Sequence, residues 1–304
     1  MQKRYRTFNE HLRERFGGKI FKVSLDAGFT CPNRDGTLGK SGCVYCSERG
    51  SGDFAGDQGL SVHHQFIEVT ERMKKKWSKA EYIAYFQAYT NTYATIGRLR
   101  EVYEEALAEE NVVGLSVSTR PDCLPEDVLD YLEELNTRTY LWVELGLQSI
   151  HDRTMKWMGR GHDYTQFLKG LDQLHSRGIR VCVHIILGLP GETKADMLAT
   201  AQAVANMPLQ GIKIHLLHVL RGTPLATMYQ REPFDFMTKD DYVSLVVDIL
   251  EILPPEMVIH RLTGDGPPED LIGPLWSRKK WEVLNAIDAE LERRDTWQGK
   301  QAKK

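Results

Sequence analysis

Apolar and polar positions follow two rhythms along this chain, and the switch between them repeats. Short β-branched or aromatic runs read as strands, and apolar residues at helical spacing follow each. The first run is KIFKVSL (19–25). YIAYFQAY (82–89) is the second, ahead of the amphipathic GRLREVYEEALAE. VVGLSVST (112–119) is the third, and PEDVLDYLEELN follows, with Pro125 at a helix start where a missing N–H does no harm. YLWVELGLQ (140–148) is the fourth, with helical signal over 151–158 and 163–177. IRVCVHIILGL (179–189) is the fifth, before TKADMLATAQAVANM. GIKIHLLHV (211–219) is the sixth, with a helix expected near 238–253, and MVIHRL (257–262) is a candidate short seventh. Strand–helix alternation of this kind predicts a parallel sheet with right-handed crossovers. The expected fold is α/β, a partial, open β/α barrel of about six parallel strands. The expected layout is a basic N-terminal extension (1–19), a core (20–255) and a C-terminal extension (256–304) that closes or flanks the barrel.

A strand buried in a parallel sheet should be apolar on both faces. Here polar residues recur at every second position: Tyr85, Gln87 and Tyr89; Ser116, Ser118 and Arg120; Trp142, Glu144, Gly146 and Gln148; His184, Ile186 and Gly188; Lys213 and His215. The alternate positions are Val, Leu and Ile, as packing beneath helices requires. One side of the sheet is therefore polar, which suits an open lumen holding a polar ligand.

Composition narrows the class. A net charge of −3 over 304 residues argues against a wholly basic nucleic-acid binder. The N-terminus carries no apolar segment of the secretory kind, and no run of about 18 apolar residues occurs, so a cytoplasmic protein without a membrane span is expected. Basic residues do gather locally. Six Lys or Arg lie in residues 1–19 and eight in 276–304, the latter including WSRKKW (276–281), where aromatics flank cations. Solvated faces explain such blocks, and phosphate contact is the functional alternative.

Three of the five cysteines fall in CPNRDGTLGKSGCVYC (31–46), in the loop leaving the first strand. Ligands bind at that end of such sheets. A zinc site would need a fourth ligand, for which His63 or His64 is available. A redox pair would use Cys43 and Cys46 and leave Cys31 idle. An iron–sulfur cluster would take all three and leave one iron open. Composition does not choose among them. Cys182 reads as a packed thiol on the side of its strand away from His184, and Cys123 has no partner cysteines nearby in sequence. GLPGET (188–193) lacks the Lys-Ser/Thr ending of a Walker loop.

CVYC resembles the second half of the radical SAM signature, C-x3-C-x-aromatic-C, although eleven residues separate Cys31 from Cys43. ELGLQS (144–149), STRP (118–121), IILGLPGET (185–193) and LRGTPL (220–225) resemble, in order, motifs of the radical SAM branch that includes the coproporphyrinogen dehydrogenases, the elongator catalytic subunit and the methylthiotransferases. The lengthened cysteine spacing with CPNRDGT is similar to the YhcC/YtqA-like family of that branch. The resemblance implies a [4Fe–4S] cluster on Cys31, Cys43 and Cys46, with S-adenosylmethionine (SAM) on the open iron, reductively cleaved to a 5′-deoxyadenosyl radical. It implies that Tyr45 packs near the adenine and that Gln148 and Ser118 contact the ribose and methionine parts. Arg160 then pairs with the SAM carboxylate, and Ile186 and Gly188 supply backbone to the adenine. His184 stands where relatives often carry a carboxylate for the ribose. Gln87, Asn91 and Thr92 are candidates for the SAM amine by position, and Glu144 divides between cofactor contact and lumen network. The family is linked to wobble-uridine maturation, so a tRNA substrate is implied. The expected reaction modifies the 5-substituent of uridine-34, for example carboxymethylaminomethyluridine to aminomethyluridine. An electron donor such as flavodoxin or ferredoxin is also implied. The alternatives are a radical SAM oxidoreductase acting on a small molecule and a zinc-binding scaffold without catalysis.

Overall fold

The computed structural model describes residues 3–77 and 79–302. Helix α1 (Phe8–Phe16) opens the chain, capped by Thr7 and Glu10, whose side chains each satisfy the other's backbone N–H. Then follow β1 (Ile20–Leu25), α2 (Val62–Lys74), β2 (Glu81–Phe86), α3 (Ile96–Leu107), β3 (Val112–Thr119), α4 (Glu126–Arg138) and β4 (Tyr140–Gln148). The second half holds α5 (Asp152–Trp157), α6 (Tyr164–Ser176), β5 (Arg180–Leu187), α7 (Lys194–Ala205), β6 (Gly211–Leu216), β7 (Val219–Leu220) and α8 (Pro224–Arg231). It ends with α9 (Lys239–Ile252), β8 (Val258–Arg261), β9 (Leu271–Gly273) and α10 (Lys280–Arg293). Among the described residues, no helix is long and apolar enough to cross a membrane.

Seven strands pair in parallel in the order β1-β2-β3-β4-β5-β6-β8, giving the expected open α/β half-barrel with one more strand than the six clear runs. The seventh, β8, comes from the C-terminal segment, which thus contributes a strand to the sheet itself. Two predicted strands end three residues early in the structure. The second ends at Phe86, and Tyr89 beyond it takes φ +61°. The sixth ends at Leu216, and Val219–Leu220 pairs instead with β9 in a small antiparallel ribbon. Helices α1, α2, α8 and α10 had no counterpart in the expected series.

The two faces of the sheet pack differently. Outward residues such as Val23, Phe86, Val117, Val143, Val183 and Ile214 join the helices in the main core. Inward residues form layers. The lowest is apolar: Ile20, Ile83, Trp142, Cys182 and Val258, plugged from below by Phe8, Leu12 and Phe16 of α1. Gly211 makes room there, because a Cβ would stand 2.8 Å from His260 Nε2 and 3.0 Å from the Trp142 ring. Cys182 is thus corrected in placement. It shares the inward face of His184 but sits one layer lower, fully buried, and burial pushes its thiol well up. Above this floor the lumen turns polar and opens at the C-terminal ends of the strands.

Candidate functional site

One cavity spans the C-terminal ends of the strands, and Cys31, Cys43 and Cys46 all border it. Cys43 and Cys46 are joined by a turn in which the Cys46 N–H donates to the Cys43 carbonyl at 3.0 Å. The long insert between Cys31 and Cys43 folds back on itself and braces this turn. Asn33 Nδ2 donates to the Gly159 and Arg160 carbonyls at 2.8 and 3.0 Å and lies 3.4 Å from Cys43 Sγ. Arg34 donates to the Cys46 carbonyl at 3.1 Å and also to that of Ser47. Sequence reasoning left this insert without a role and missed both residues; the clue was a buriable Asn next to a ligand-type Cys.

Burial opposes ionisation of Cys43, but the Arg160 and Arg120 guanidinium groups and the hydrogen bonds from Arg160 and Asn33 outweigh it, holding the thiol below its usual range. Cys46 goes the other way, pushed up by burial and by the neighbouring Cys43 charge. Cys123 is buried and pushed up to about 12 by burial and then by Asp122. Among the described residues, no three His, Cys, Asp or Glu side chains are grouped so as to hold one metal ion. His63 and His64 lie on α2, where His63 Nδ1 is 2.7 Å from Glu109.

Arg160 occupies the centre of the cysteine side of the cavity. Its Nη1 lies 3.5 Å from Cys43 Sγ and 3.1 Å from the Tyr45 hydroxyl, while Nη2 reaches the Gly146 carbonyl at 3.1 Å and His162 Nε2 at 2.9 Å. Burial and the flanking guanidinium groups hold His162 down at about 2, so its neutral Nε2 accepts from Arg160. Gly146 permits this arrangement, since a Cβ there would meet Arg160 Nη2 at 2.8 Å. Just beyond it, β4 bulges against β5, and Gln148 adopts φ +69°. Bulges of this kind re-aim side chains at sites. Gln148 Oε1 and Arg160 Nε are buried without partners, so polar capacity is left over beside the cysteines.

The other expected residues separate into two groups. Tyr45, Gln87, Ser118, Gln148, Arg160, His184 and Ile186 all line the cavity. Gln87 Nε2 ties to the Ser51 carbonyl at 2.9 Å, and Ile186 joins an apolar wall with Met155, Met158 and Leu217. Asn91 and Gly188 do not line it. The Asn91 amide is fully buried and donates to the Phe86 and Ser118 carbonyls, clamping β2 to β3. Thr92 is likewise buried, against Thr119 and the Cys123 carbonyl. Gly188 takes φ +81° and turns the chain off β5 toward α7, its N–H pointing at Met197 Sδ. Sequence spacing counted these residues correctly along the chain but could not show where the strands end.

Glu144 borders the cavity, but protein partners saturate it. Lys22 and Lys213 pair with it, and Ser116, Tyr85 and His184 donate to it at 2.9, 2.7 and 2.9 Å. A carboxylate offers about four lone-pair positions, so little is left for a cofactor hydroxyl. The lumen-network reading of Glu144 is the one its contacts match. Burial, opposed by Glu144, sets Lys213 down at about 8, while burial holds His184 at about 4 and neutral. His184 therefore donates its Nε2–H to the carboxylate.

These residues fit the implied cofactors. Cys31, Cys43 and Cys46 border one cavity, Cys43 is held toward its thiolate form by cations, and the unpartnered Gln148 and Arg160 atoms belong to residues that line the same cavity. The Asn33 brace gives a test. Asn33→Ala strips two buried carbonyls of their donor, and a loss of about 1–3 kcal/mol of stability is expected. Urea unfolding reads it; an unchanged midpoint would mean that the amide is dispensable.

Comparison with known proteins bears on this geometry. Residues 31–204 match the model of the radical SAM superfamily, and residues 209–293 match the radical SAM C-terminal domain. Uncharacterized protein YtqA of Bacillus subtilis is 58% identical over 299 residues, covering 98% of this chain and 93% of that protein. A tRNA uridine(34) acetyltransferase of Dehalococcoides mccartyi is 28% identical over 163 residues, covering 53% of this chain and 35% of that protein. Among solved structures, Elp3 of Methanocaldococcus infernus superposes with a TM-score of 0.69 at 18% identity, over 92% of this chain and 64% of that one. At that identity the likeness speaks for the fold.

Proposed function

The chain belongs to the radical SAM superfamily, within its YhcC/YtqA-like family, and on that premise we propose that it modifies the 5-substituent of the wobble uridine in tRNA. It is an enzyme of the radical SAM class, whose members use a [4Fe–4S] cluster and SAM. When bound, these supply a 5′-deoxyadenosyl radical that abstracts a hydrogen atom from substrate. The chain's own residues do the holding and shielding. In this proposal Cys31, Cys43 and Cys46 ligate the cluster. Arg160, already beside Cys43, pairs with the SAM carboxylate. Tyr45 and the apolar wall at Ile186 receive the adenine, and Gln148, Ser118, His184 and Gln87 supply polar contacts. The Glu144 network stiffens the lumen beneath them. The α1 plug closes the lower end of the lumen and keeps bulk water from it. The residues 20–255 as catalytic core and 256–304 as its closing segment are part of the same proposal.

The observation that carries the tRNA reading is the match over 163 residues to a protein named for tRNA uridine(34). Oxidative removal of the carboxymethyl group from carboxymethylaminomethyluridine is the net change we favour: the methylene beside the carboxylate gives up two electrons to SAM, water adds to the resulting C=N bond, and the C–N bond breaks to leave aminomethyluridine and glyoxylate. Nucleoside profiling of a deletion strain tests it. Carboxymethylaminomethyluridine should accumulate at the expense of its aminomethyl products, and an unchanged wobble-uridine profile would sink the tRNA assignment.

One observation favours a small-molecule substrate instead. The cations of WSRKKW are already engaged: Arg278 donates to the Pro268 carbonyl at 2.7 Å, Lys279 pairs with Glu282 at 2.8 Å and Lys280 with Asp265 at 2.7 Å. Of the two readings of that block, a solvated face and phosphate contact, these pairs favour the solvated face. Trp281 remains 75% exposed and available for base stacking. The two readings part on whether bulk tRNA from the deletion strain, or a small-metabolite fraction, stimulates 5′-deoxyadenosine formation.

A further inference from the structure

Across the lumen from the cysteines stands a wall made by β6, β8 and the turn after β6, and its chemistry is not used by the cluster or by SAM in the proposal above. Lys213, His215, His218 and Arg261 line the cavity there. Charge on this wall is out of balance. Glu144 faces two ammonium groups, Lys22 and Lys213. Asp265 faces both Arg261, at 3.4 Å, and Lys280, at 2.7 Å. Four cations therefore share two carboxylates, and of the four Lys213 and Arg261 line the cavity. The imidazoles add directed polarity. His215 Nε2 and His218 Nε2 are buried without a hydrogen-bond partner, a state that costs on the order of 1–3 kcal/mol per group until a partner arrives. The His184 and His215 rings lie 5.2 Å apart, so the imidazole row continues from the Glu144 network to the open wall. Burial holds His218 at about 4 and His215 well down, so both are neutral and each can hydrogen-bond an incoming oxygen. Arg261 lines the cavity, its side chain keeps 27% exposure, and it has a single carboxylate at a long distance. Its guanidinium has donors to spare for a planar, two-oxygen acceptor.

We infer that Arg261, with His215, His218 and Lys213, forms an anion-binding subsite that holds a carboxylate on the substrate and so orients the neighbouring C–H toward the cysteine side of the lumen. The inference rests on the wobble-uridine reading for the identity of the substrate, which in its carboxymethylaminomethyl form ends in such a carboxylate. A nucleotide phosphate offers the same chemistry, and the experiment separates the two sources. Placing the anion against β6 and β8 leaves the methylene beside it facing Arg160 and the cysteines across the cavity. Arg261 is a positioning residue in this arrangement, since the reacting atom is the adjacent carbon.

Equilibrium dialysis with cluster-loaded, SAM-bound protein tests the subsite. The probes are the nucleosides 5-carboxymethylaminomethyluridine and 5-aminomethyluridine, together with uridine and uridine 5′-monophosphate. The carboxylated nucleoside should bind roughly tenfold or more tighter than its aminomethyl counterpart, as a charge-assisted pair implies. Arg261→Ala should erase that preference and Arg261→Lys should keep part of it, while SAM affinity stays unchanged in both as the check on folding. A preference for uridine 5′-monophosphate over uridine that Arg261→Ala abolishes would assign the subsite to a phosphate. Equal binding of charged and uncharged probes, or a preference that survives Arg261→Ala, overturns the inference. Failure of the wobble-uridine reading shows elsewhere: the deletion-strain profile is unchanged and the protein fails to retard an unmodified anticodon stem–loop, whereas failure of the subsite alone leaves both of those results positive.

Discussion

Cys43→Ser protein, reconstituted anaerobically with iron and sulfide, is expected to lose the broad visible absorbance of the cluster and to form no 5′-deoxyadenosine with dithionite and SAM. Cys31→Ser and Cys46→Ser should do the same. Cys123→Ala and Cys182→Ala should keep both the cluster and SAM cleavage. The two halves of the prediction rest on different physics. Cys31, Cys43 and Cys46 border a shared cavity, and cations hold Cys43 toward the thiolate that binds iron. Cys123 and Cys182 do not border that cavity, and burial holds both thiols in their protonated form. Cys182→Ala should still cost stability, because its sulfur fills the floor beside Trp142. A Cys182 or Cys123 variant that loses the cluster, or a Cys43 variant that keeps it, would overturn the ligand assignment.

The second large effect lies in the lumen. Glu144→Gln removes the one carboxylate shared by Lys22 and Lys213 and leaves two ammonium groups facing each other across a buried amide. Breaking a buried pair in this way costs about 3–5 kcal/mol, since the partner charges stay behind uncompensated. A fall in the unfolding midpoint on the order of 10 °C follows for a chain of this size. The pH dependence has a definite sign. Burial, partly offset by Glu144, lowers Lys213 to about 8 from the usual lysine value of 10.5, so its folded form binds fewer protons between those values and stability rises with pH across that window. Loss of the Glu144 charge lowers the folded value further and widens the window. The deficit of Glu144→Gln relative to the parent should therefore shrink from about pH 7 to about pH 8 and level off above that, where Lys213 is neutral in both folded proteins. A deficit that is constant over that range would mean that Lys213 does not carry the cost. Glu144 itself is held well below the carboxylate range, its burial outweighed by Lys213 and Lys22, so the parent protein should lose this contribution only at strongly acidic pH.

Much of this site was legible in the residues. Inward and outward positions follow from period two alone, so Tyr85, Ser116, Glu144, His184 and Lys213 could be grouped before any coordinates were seen, and they meet in one network. The bulge at Gln148 was not legible, because an extra residue in a strand changes facing without changing composition. Neither was the split of the inward face into an apolar floor and a polar upper layer, which moved Cys182 away from the side it was expected to occupy.

The sequence by itself determined the alternating α/β order, the polar lumen face, the cysteine loop at the C-terminal end of the sheet and the family. These depend on periodicity and on motif order, which are local properties of the chain. Only the tertiary structure decided which polar residues are already satisfied. Asn91 and the three WSRKKW cations looked available in sequence, and each is engaged by a protein partner, Asn91 by the Ser118 carbonyl of the neighbouring strand and Lys279 by Glu282 three residues on. Asn33 and Arg261 looked ordinary, and the fold sets one against the cysteine turn and the other on the lumen wall. The physical reason is that a hydrogen bond or ion pair is made by whatever lies within about 3–4 Å, and in a barrel those neighbours come from strands tens of residues apart.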